Sequence, residues 1–268
     1  MTQSFLEAAV EAALEAGGIL AEEFQGPADI SYKGDVDLVT QADRRSERAI
    51  VARLRSAFPE HAILAEEGGG QENASPYRWF VDPLDGTTNF AHGYPCFSVS
   101  IGLAAEGRML AGVVYNPLSK ELFAAQRGKG ATLNGKPIRV SRIERLARSL
   151  LVTGFPTHKR TQNPNIHYYW DFTLKSHGVR RDGSAAMDLA AVAAGRFEGF
   201  WEFGLKAWDT AAGLLLVQEA GGLVTDFHGR PYQPGGPVLL ATNGLVHEEM
   251  QHVAAEVAKK RPIPSDVP

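Results

Sequence analysis

The first part of the chain carries apolar residues every three or four positions, a spacing that predicts amphipathic helices. Ser4 and Glu7 match the capping box that starts such a helix, and Gly26-Pro27 ends it. The same spacing predicts a second helix from about residue 43 to residue 58, where Pro59 stops it. The apolar positions that define the two helices are Leu6, Val10, Ala13, Leu14, Gly17, Ala21 and Phe24 in the first and Ile50, Val51, Leu54 and Phe58 in the second.

Short runs of apolar and β-branched residues follow and predict strands. Asn134-Gly135 lies after the first group of strands and is typical of a two-residue hairpin turn. This first group is predicted at 62–65, 79–81, 97–103, 110–115 and 121–125. Further on, strands and helices alternate, with strands at 150–153, 179–180, 196–203, 223–225 and 238–241 and helices at 165–175, 184–194, 209–220 and 246–259.

The order of these elements predicts a layered α/β protein. Helices come first, strands follow and alternating elements close the chain, which favours stacked helix and sheet layers over one doubly wound sheet. No internal repeat and no low-complexity linker interrupts the sequence. We therefore expect a single domain over residues 1–268, with a soft division near residues 141–148 into subdomains 1–145 and 146–268.

Composition is consistent with a layered α/β protein and narrows its class further. Apolar residues make up 44% of the 268 residues and charged residues 22%, which is ordinary globular usage. The net charge of −4 gives no footprint for non-specific nucleic-acid binding, so no nucleic-acid partner is expected. A single cysteine, Cys96, favours a reducing cytoplasm. Neither a signal peptide nor a membrane span is predicted, because acidic residues interrupt the first apolar run.

Acidic residues stand at three points where an apolar run meets a turn or a helix start. Such strand ends are where open α/β sheets place their sites. Clustered carboxylates repel one another, and hard divalent cations resolve this conflict. Oxygen ligands favour Mg²⁺, Mn²⁺ or Ca²⁺ over zinc, and two or three such ions could bridge a phosphate and activate water. The three segments are 65–68 with Glu66 and Glu67, 79–89 with Asp82 and Asp85, and 206–213 with Asp209.

The segment around Pro83 carries the strongest signal. Asp82 and Asp85 straddle this proline, which fixes φ, so a tight turn is predicted to aim both carboxylates at one point. Thr87 or Thr88 is predicted to cap a short helix whose free amides suit a phosphate. Taken singly, each acid has a structural interpretation as a turn or helix-cap residue. Only the three acidic segments together favour metal binding.

These segments resemble the signatures of the inositol monophosphatase family. The resemblance covers nearly the whole chain, from the first helix to the strand before the last helix. It implies a five-layered αβαβα sandwich, Mg²⁺-dependent hydrolysis of a small polyol phosphate such as inositol-1-phosphate, a homodimer and inhibition by lithium. The matching segments are residues 36–43, Glu66-Glu67, Asp82-Pro83-Leu84-Asp85-Gly86-Thr87-Thr88-Asn89-Phe90, Gly183-Ser184-Ala185-Ala186, Trp208-Asp209 and Glu219-Ala220-Gly221-Gly222.

The resemblance also implies roles for individual residues. Glu66 and Thr87 would orient the attacking water, and Asp43 would be hydrogen-bonded to Thr87. Lys33 would lie on a loop that closes over the metals. Two or three Mg²⁺ ions, or Mn²⁺ in their place, would be held by Glu66, Asp82, the carbonyl of Leu84, Asp85 and Asp209.

The implied substrate contacts extend beyond the metal ligands. The amides of Gly86 and Thr87 would hold the phosphate, and Gly183, Ala185 and Glu202 would contact the alcohol part of the substrate. The complete implied substrate-binding set is Leu84, Asp85, Gly86, Thr87, Gly183, Ala185, Glu202 and Asp209.

The same residues allow other interpretations. Haloacid dehalogenase-like phosphatases also carry an Asp-Gly-Thr sequence, but their two aspartates stand two positions apart, whereas Asp82 precedes Asp85 by three. His247 and His252 are five positions apart and not the four of a zincin helix, so a solvated helix is expected. Fructose-1,6-bisphosphatase and histidinol-phosphatase activities remain alternatives on the same fold. A regulatory binding protein that retains the fold is the alternative of another class.

Overall fold

Helices and strands make up most of the residues that the structure describes. The computed structural model describes residues 4–25, 30–32, 38–70, 73–155 and 163–260. Its helices are α1 (Phe5–Glu23), α2 (Gln41–Ala57), α3 (Thr87–Ala91), α4 (Asn165–Lys175), α5 (Ala185–Ala193), α6 (Ala207–Glu219) and α7 (His247–Lys260). Its strands are β1 (Ile30–Tyr32), β2 (Leu38–Thr40), β3 (Ala62–Ala65), β4 (Tyr77–Asp85), β5 (Ser98–Ala105), β6 (Arg108–Asn116), β7 (Glu121–Gln126), β8 (Gly130–Leu133), β9 (Lys136–Pro137), β10 (Leu150–Thr153), β11 (Gly178–Arg180), β12 (Gly199–Phe203), β13 (Leu223–Thr225) and β14 (Val238–Thr242).

The larger sheet has seven strands in the order β3-β4-β5-β6-β7-β8-β9. β3 and β4 are parallel, whereas β4 and β5 are antiparallel, as are the pairs that follow. The carboxyl ends of β3 and β4 therefore lie at the same edge of the sheet. The hairpin turn predicted at Asn134-Gly135 is confirmed between β8 and β9, and both residues have the positive φ that this turn requires.

The smaller sheet has five strands in the order β11-β10-β12-β14-β13. β10 runs parallel to both of its neighbours, while β14 is antiparallel to β12 and β13. β1 and β2 form a separate antiparallel pair. None of the helices in the described ranges is long and apolar enough to cross a lipid bilayer.

Three apolar cores hold the layers together. One core joins α1 and α2 to a face of the larger sheet, and another joins α4 and α7 to a face of the smaller sheet. The third surrounds α5 and α6 between the two sheets. Every residue of α6 from Thr210 to Val217 is buried, as expected of a helix covered on all sides. The layers therefore follow the order αβαβα, and the predicted five-layered fold is confirmed.

The predicted bounds hold best where an apolar run is closed by clear signals at both ends. β3, β10, α4 and β13 have the predicted bounds. The chain passes from the larger sheet to the smaller one between residues 137 and 150, which includes the predicted soft division. Whether 1–145 and 146–268 behave as subdomains stays a prediction.

Two helix starts were predicted two residues too late, for the same reason. The capping box of α1 is present as predicted, with Glu7 N 3.2 Å from Ser4 Oγ. In α2 and α6, however, the acids taken as the helix start occupy the third helical position. Asp43 accepts from the backbone N of Thr40, and Asp209 accepts from that of Lys206, each at 2.7 Å. An acid at this position satisfies an amide at the start of the helix, so the helix begins before it.

Candidate active site

Three of the predicted acids lie at the shared edge where β3 and β4 end. Glu66 follows β3 directly, and its amide donates to the carbonyl of Val81 in β4 at 3.2 Å. Asp82 and Asp85 belong to the last residues of β4 itself. The parallel pairing of these two strands therefore brings Glu66 beside the Asp82–Asp85 segment.

An irregularity in β4 turns Asp82 and Asp85 to the same face. Residues three apart point to opposite faces of a regular strand. Here Asp82 pairs with Ser100 and Asp85 with Ser98, so three steps on β4 match two steps on β5. This extra residue is a β-bulge, and Pro83, which has no N–H to pair, lies within it. The predicted tight turn at Pro83 is therefore wrong. The bulge, and not a turn, brings the Asp82 and Asp85 side chains to one face of the strand.

The hydroxyl of Thr87 joins this segment to α2. Thr87 Oγ1 lies 3.1 Å from Asp43 Oδ1 and 3.0 Å from the carbonyl oxygen of Leu84. The second carboxylate oxygen of Asp43 accepts from both the backbone and the hydroxyl of Thr40. Burial raises the pKa of Asp43 above its ordinary value, against the lowering effect of these hydrogen bonds. The hydrogen bond implied between Asp43 and Thr87 is thus present in the structure.

Gly86, and not a threonine, caps the short helix α3. Gly86 is the N-cap with φ of 94°, a left-handed conformation suited to glycine, and Thr87 is the first helical residue. A Cβ on Gly86 would lie 2.9 Å from the carbonyl oxygen of Cys96. Thr87 and Thr88 therefore do not cap this helix as predicted, because the backbone must pass too close to its neighbour for any residue but glycine.

Asp85 reaches across to the start of α5. Its Oδ2 accepts from Ser184 Oγ at 2.5 Å and from the amide of Ala186 at 2.8 Å, while its Oδ1 lies 3.3 Å from the amide of Ala185. Burial raises the pKa of Asp85 to about 6, in spite of these hydrogen bonds. The predicted substrate residue Ala185 thus uses its amide toward Asp85, and Gly183 lies just before this helix start.

Asp209 lies on α6, one of the two helices between the sheets. It lies in the first turn of α6, and the preceding carbonyl, of Trp208, accepts from Ser100 Oγ at 3.2 Å. Ser100 is the β5 partner of Asp82, so this bond brings the start of α6 against the acidic edge of β4. Burial and the charges of Asp85 and Glu66 raise the pKa of Asp209 well above its ordinary value. The sequence could not establish this proximity.

The charges of these acids act on one another. Burial raises the pKa of Asp82 well above its ordinary value, and the charges of Glu66, Asp85 and Asp209 raise it further. A hard divalent cation fits this arrangement, because it would offset the repulsion among oxygen donors. Among the described residues, no three acidic, histidine or cysteine side chains are already arranged as a complete metal site. Bound Mg²⁺ generally keeps several waters and uses one or two carboxylates.

Glu202 is buried on β12, facing the same region from the smaller sheet. Only 8% of its surface is exposed, and its carboxylate packs against the α-carbon of Gly154, where there is no room for a Cβ. Burial raises the pKa of Glu202 to about 8, with a further contribution from the charges of Asp209 and Asp85. Lys33, which the resemblance places on a closing loop, lies outside the described residues.

Sequence reasoning missed three polar residues near the site. Ser46 and Glu47 on α2 bind backbone groups of the Pro83 and Glu67 segments. Asp188 is buried on α5, and within the described part of the chain one of its carboxylate oxygens has no hydrogen-bond partner. Two signals were available: Glu47 follows Asp43 by one helical turn, and Asp188 is a charged residue inside an apolar helix.

Comparison with known proteins agrees with this architecture. The model of the inositol monophosphatase family matches residues 1–262. An inositol-1-monophosphatase from Synechocystis is 47% identical over 257 residues, which cover 94% of this chain and 89% of the relative. A Nus factor SuhB from Pseudomonas aeruginosa is 48% identical over 236 residues, 85% of this chain and 87% of the relative.

A solved structure supports the same assignment. The structure of an inositol monophosphatase from Anabaena matches with a TM-score of 0.87 and 44% identity, covering 97% of each chain. The likeness therefore extends over the whole fold, including the strands and helices that carry the acids. This chain belongs to the inositol monophosphatase family of phosphoric monoester hydrolases.

Proposed function

We propose that this protein is a Mg²⁺-dependent phosphatase that hydrolyses small polyol phosphates, with inositol-1-phosphate as the first candidate substrate. One observation carries the proposal: the acids at the end of β4 lie beside Glu66, which follows β3, and beside the first turn of α6, which carries Asp209. Burial raises the pKa of Asp82 well above its ordinary value, and the charges of Glu66, Asp85 and Asp209 raise it further. Retaining such repulsion costs stability unless a cation offsets it. The name of the Synechocystis relative supports inositol-1-phosphate as the substrate.

The proposed site holds two or three Mg²⁺ ions, with Mn²⁺ as an alternative ion. Its proposed ligands are Glu66, Asp82, the Leu84 carbonyl, Asp85 and Asp209. When bound, such ions offset phosphate charge and lower the pKa of water. Around them, Glu66 and Thr87 hold and orient the attacking water. Thr87 is suited to this task because Asp43, itself tied to Thr40, restrains its hydroxyl.

The remaining residues bind the substrate. The amides of Gly86 and Thr87 stand at the start of α3 and bind the phosphate in this proposal. Gly183, Ala185 and Glu202 face the alcohol part. Glu202 is the polar member of this group and accepts hydrogen bonds from ring hydroxyls, which gives preference to a polyol over a simple alkyl or aryl ester.

A panel of phosphate esters assayed with Mg²⁺ tests the proposal. Inositol-1-phosphate, fructose-1,6-bisphosphate, histidinol phosphate and an aryl phosphate form the panel. We expect the highest kcat/KM on inositol-1-phosphate, no turnover in excess chelator, and loss of most turnover in Asp82→Asn. Asp171→Asn, on the outer helix α4, is the control that keeps wild-type activity. Full turnover in chelator contradicts the metal dependence. A higher kcat/KM on another ester of the panel would make that ester, and not inositol-1-phosphate, the preferred substrate.

The nucleophile is tested separately. Direct attack by water is a single displacement at phosphorus, which inverts its configuration and forms no phosphorylated protein. An aspartyl-phosphate mechanism, as in haloacid dehalogenase-like enzymes, has two displacements, retains the configuration and passes through a phosphorylated aspartate. Mass spectrometry of the peptide containing Asp82 and Asp85 after a rapid acid quench distinguishes the two, and a phosphorylated peptide contradicts direct attack by water.

The family resemblance also supports a homodimer and inhibition by lithium. Light scattering at assay concentration measures the first property, and a monomer contradicts it. For the second, we expect uncompetitive inhibition with respect to substrate, because lithium would bind after turnover while phosphate remains in the site. Competition with Mg²⁺ in the absence of turnover argues against that order.

A second candidate function is that of a regulatory protein that retains the fold and binds a partner. The observation that favours it is the 48% identity to a relative named Nus factor SuhB. Both functions are compatible on one chain, since the acids of the site are retained. Affinity capture with the Asp82→Asn variant separates them, because a binding role independent of catalysis survives this substitution.

A further inference from the structure

Glu47 is a buried acid on α2 whose carboxylate binds two backbone amides of a neighbouring loop. It lies one helical turn after Asp43, and 4% of its surface is exposed. Its Oε2 accepts from the amide of Glu67 at 2.7 Å, and its Oε1 accepts from that of Gly69 at 2.8 Å. Hydrogen bonds to a charged acceptor are roughly twice as strong as neutral ones. Both amides belong to the loop that begins at Glu66.

Glu66 is thereby restrained from both sides. On its amino side, the Glu66 amide donates to Val81 of β4. On its carboxyl side, the next amide, of Glu67, donates to Glu47. The backbone on each side of the Glu66 α-carbon is therefore tied to a rigid element, β4 in one case and α2 in the other.

The same turn of α2 also holds the Asp82–Asp85 segment. Ser46 Oγ donates to the carbonyl of Pro83 at 2.7 Å, and Asp43 accepts from Thr87. Glu47 thus contacts the segment that follows β3, Ser46 contacts the β4 bulge, and Asp43 contacts the start of α3. One helical turn sets the relative positions of the loop of Glu66 and the loop of Asp82.

The loop is shaped to receive the Glu47 carboxylate. A Cβ on Gly69 would lie 2.6 Å from Glu47 Oε1, so a side chain at this position would displace the carboxylate. Further along α2, Arg55 contacts the same loop from outside, with Nη2 3.1 Å from the carbonyl oxygens of Gly69 and Gly70. Arg55 therefore holds the far end of the loop and leaves the Glu66 end to Glu47.

We infer that Glu47 is a positioning residue for metal binding, which fixes Glu66 through the amides of Glu67 and Gly69. The inference rests on the proposed function, in which Glu66 is a metal ligand. Glu47→Gln is the direct test. A glutamine oxygen can accept from one amide, but its NH₂ group would then face the other amide as donor against donor. The loop loses one anchor while the shape of the side chain is kept.

Mn²⁺ binding followed by electron paramagnetic resonance, without substrate, is the primary measurement. We expect Glu47→Gln to bind Mn²⁺ about 10–100-fold more weakly than wild type, the usual effect of removing a group that orients a metal ligand. Turnover should recover in part when Mg²⁺ is raised. Arg55→Gln is the matched control on the same helix and loop, and we expect its Mn²⁺ affinity to equal that of wild type.

Gly69→Ala provides a second route to the same contact, should Glu47→Gln fail to fold. It displaces the Glu47 carboxylate from the loop side, so its effect and that of Glu47→Gln should not add in the double variant. Wild-type Mn²⁺ affinity in either folded variant overturns the inference, as does equal weakening in Arg55→Gln. If wild type binds no Mn²⁺ and hydrolyses no phosphate ester, the proposed function fails and the inference fails with it.

Discussion

The hydroxyl of Ser184 lies 2.5 Å from Oδ2 of Asp85, although 99 residues separate the two in sequence. Asp85 ends a strand of the larger sheet, and Ser184 precedes the helix α5 between the sheets. The same carboxylate oxygen accepts from the amide of Ala186. A candidate metal ligand therefore also caps a helix, and the geometry of the site depends on how the middle layer packs.

Ser184→Ala should reduce stability measurably. The substitution removes a donor to a buried charged acceptor, for which hydrogen bonds are worth about 1.5–3 kcal/mol. Ser119→Ala is the matched control, since the Ser119 hydroxyl also contacts a carboxylate, that of Glu121, but at an exposed position. We expect that control to change stability by less than about 0.5 kcal/mol. Urea unfolding of both variants measures the difference, and equal effects would argue against a special role for the Asp85 bond.

The order of elements and the acidic segments were predictable from the sequence, because each depends on local signals. β10 and α4 follow from apolar periodicity closed by turn residues. Glu66, Asp82 and Asp209 stand out because each is an acid next to an apolar run. These signals need no knowledge of which element lies beside which, and they supported the layered fold that the structure has.

What the sequence could not provide is the pairing between distant elements. Asp82 and Asp85 share a face only because Ser100 and Ser98 on β5 pair with them across a bulge. Glu47 is one acid among several on a polar helix until the loop of Glu67 is seen against it. Register and long-range contacts are set by tertiary packing, so a single sequence carries little information about them.

Gly17 and Gly18 are neighbours on α1 with opposite expected responses to alanine. A Cβ on Gly17 would collide with the ring of Tyr115, whereas a Cβ on Gly18 would meet nothing within 4 Å. Gly18→Ala should stabilise the protein by about 0.5–1 kcal/mol, since glycine inside a helix is unfavourable. Gly17→Ala should destabilise it by about 1–3 kcal/mol through overpacking. Thermal unfolding of the pair checks both signs, and stabilisation by Gly17→Ala would contradict the packing of α1 on β6.

The free energy of unfolding should decrease at low pH because of His247. This histidine is 3% exposed, with Nε2 2.8 Å from Thr225 Oγ1 and Nδ1 2.9 Å from Thr242 Oγ1. Burial lowers its pKa to about 4. Between about pH 6.5 and pH 4 the unfolded chain binds a proton at this position that the folded protein does not, so stability falls as the pH falls.

His247→Gln removes this proton uptake. Its loss of stability between pH 7 and pH 5 should be smaller than that of wild type, by an amount on the order of 1–2 kcal/mol. His177→Gln is the control, because that side chain is exposed, and the slope of its stability against pH should match that of wild type. Urea unfolding across this range measures the slopes. Parallel curves for wild type and His247→Gln would show that another group is responsible.

Selectivity for a polyol should depend on Glu202. The residue lies on β12 with its carboxylate packed against Gly154, so the side chain is held in one position and not free in solvent. Burial raises the pKa of Glu202 to about 8, so the assay is run above this pH, where the carboxylate is charged. A hydrogen bond to a charged group is worth about 1.5–3 kcal/mol, which corresponds to roughly 10–100-fold in rate. Glu202→Ala should therefore lower kcat/KM on inositol-1-phosphate by this factor and leave an aryl phosphate nearly unaffected, because the aryl ester has no ring hydroxyl to bind. Equal losses on both substrates would mean that Glu202 supports the metal site or the fold. No loss on either would mean that the carboxylate does not reach the substrate at all.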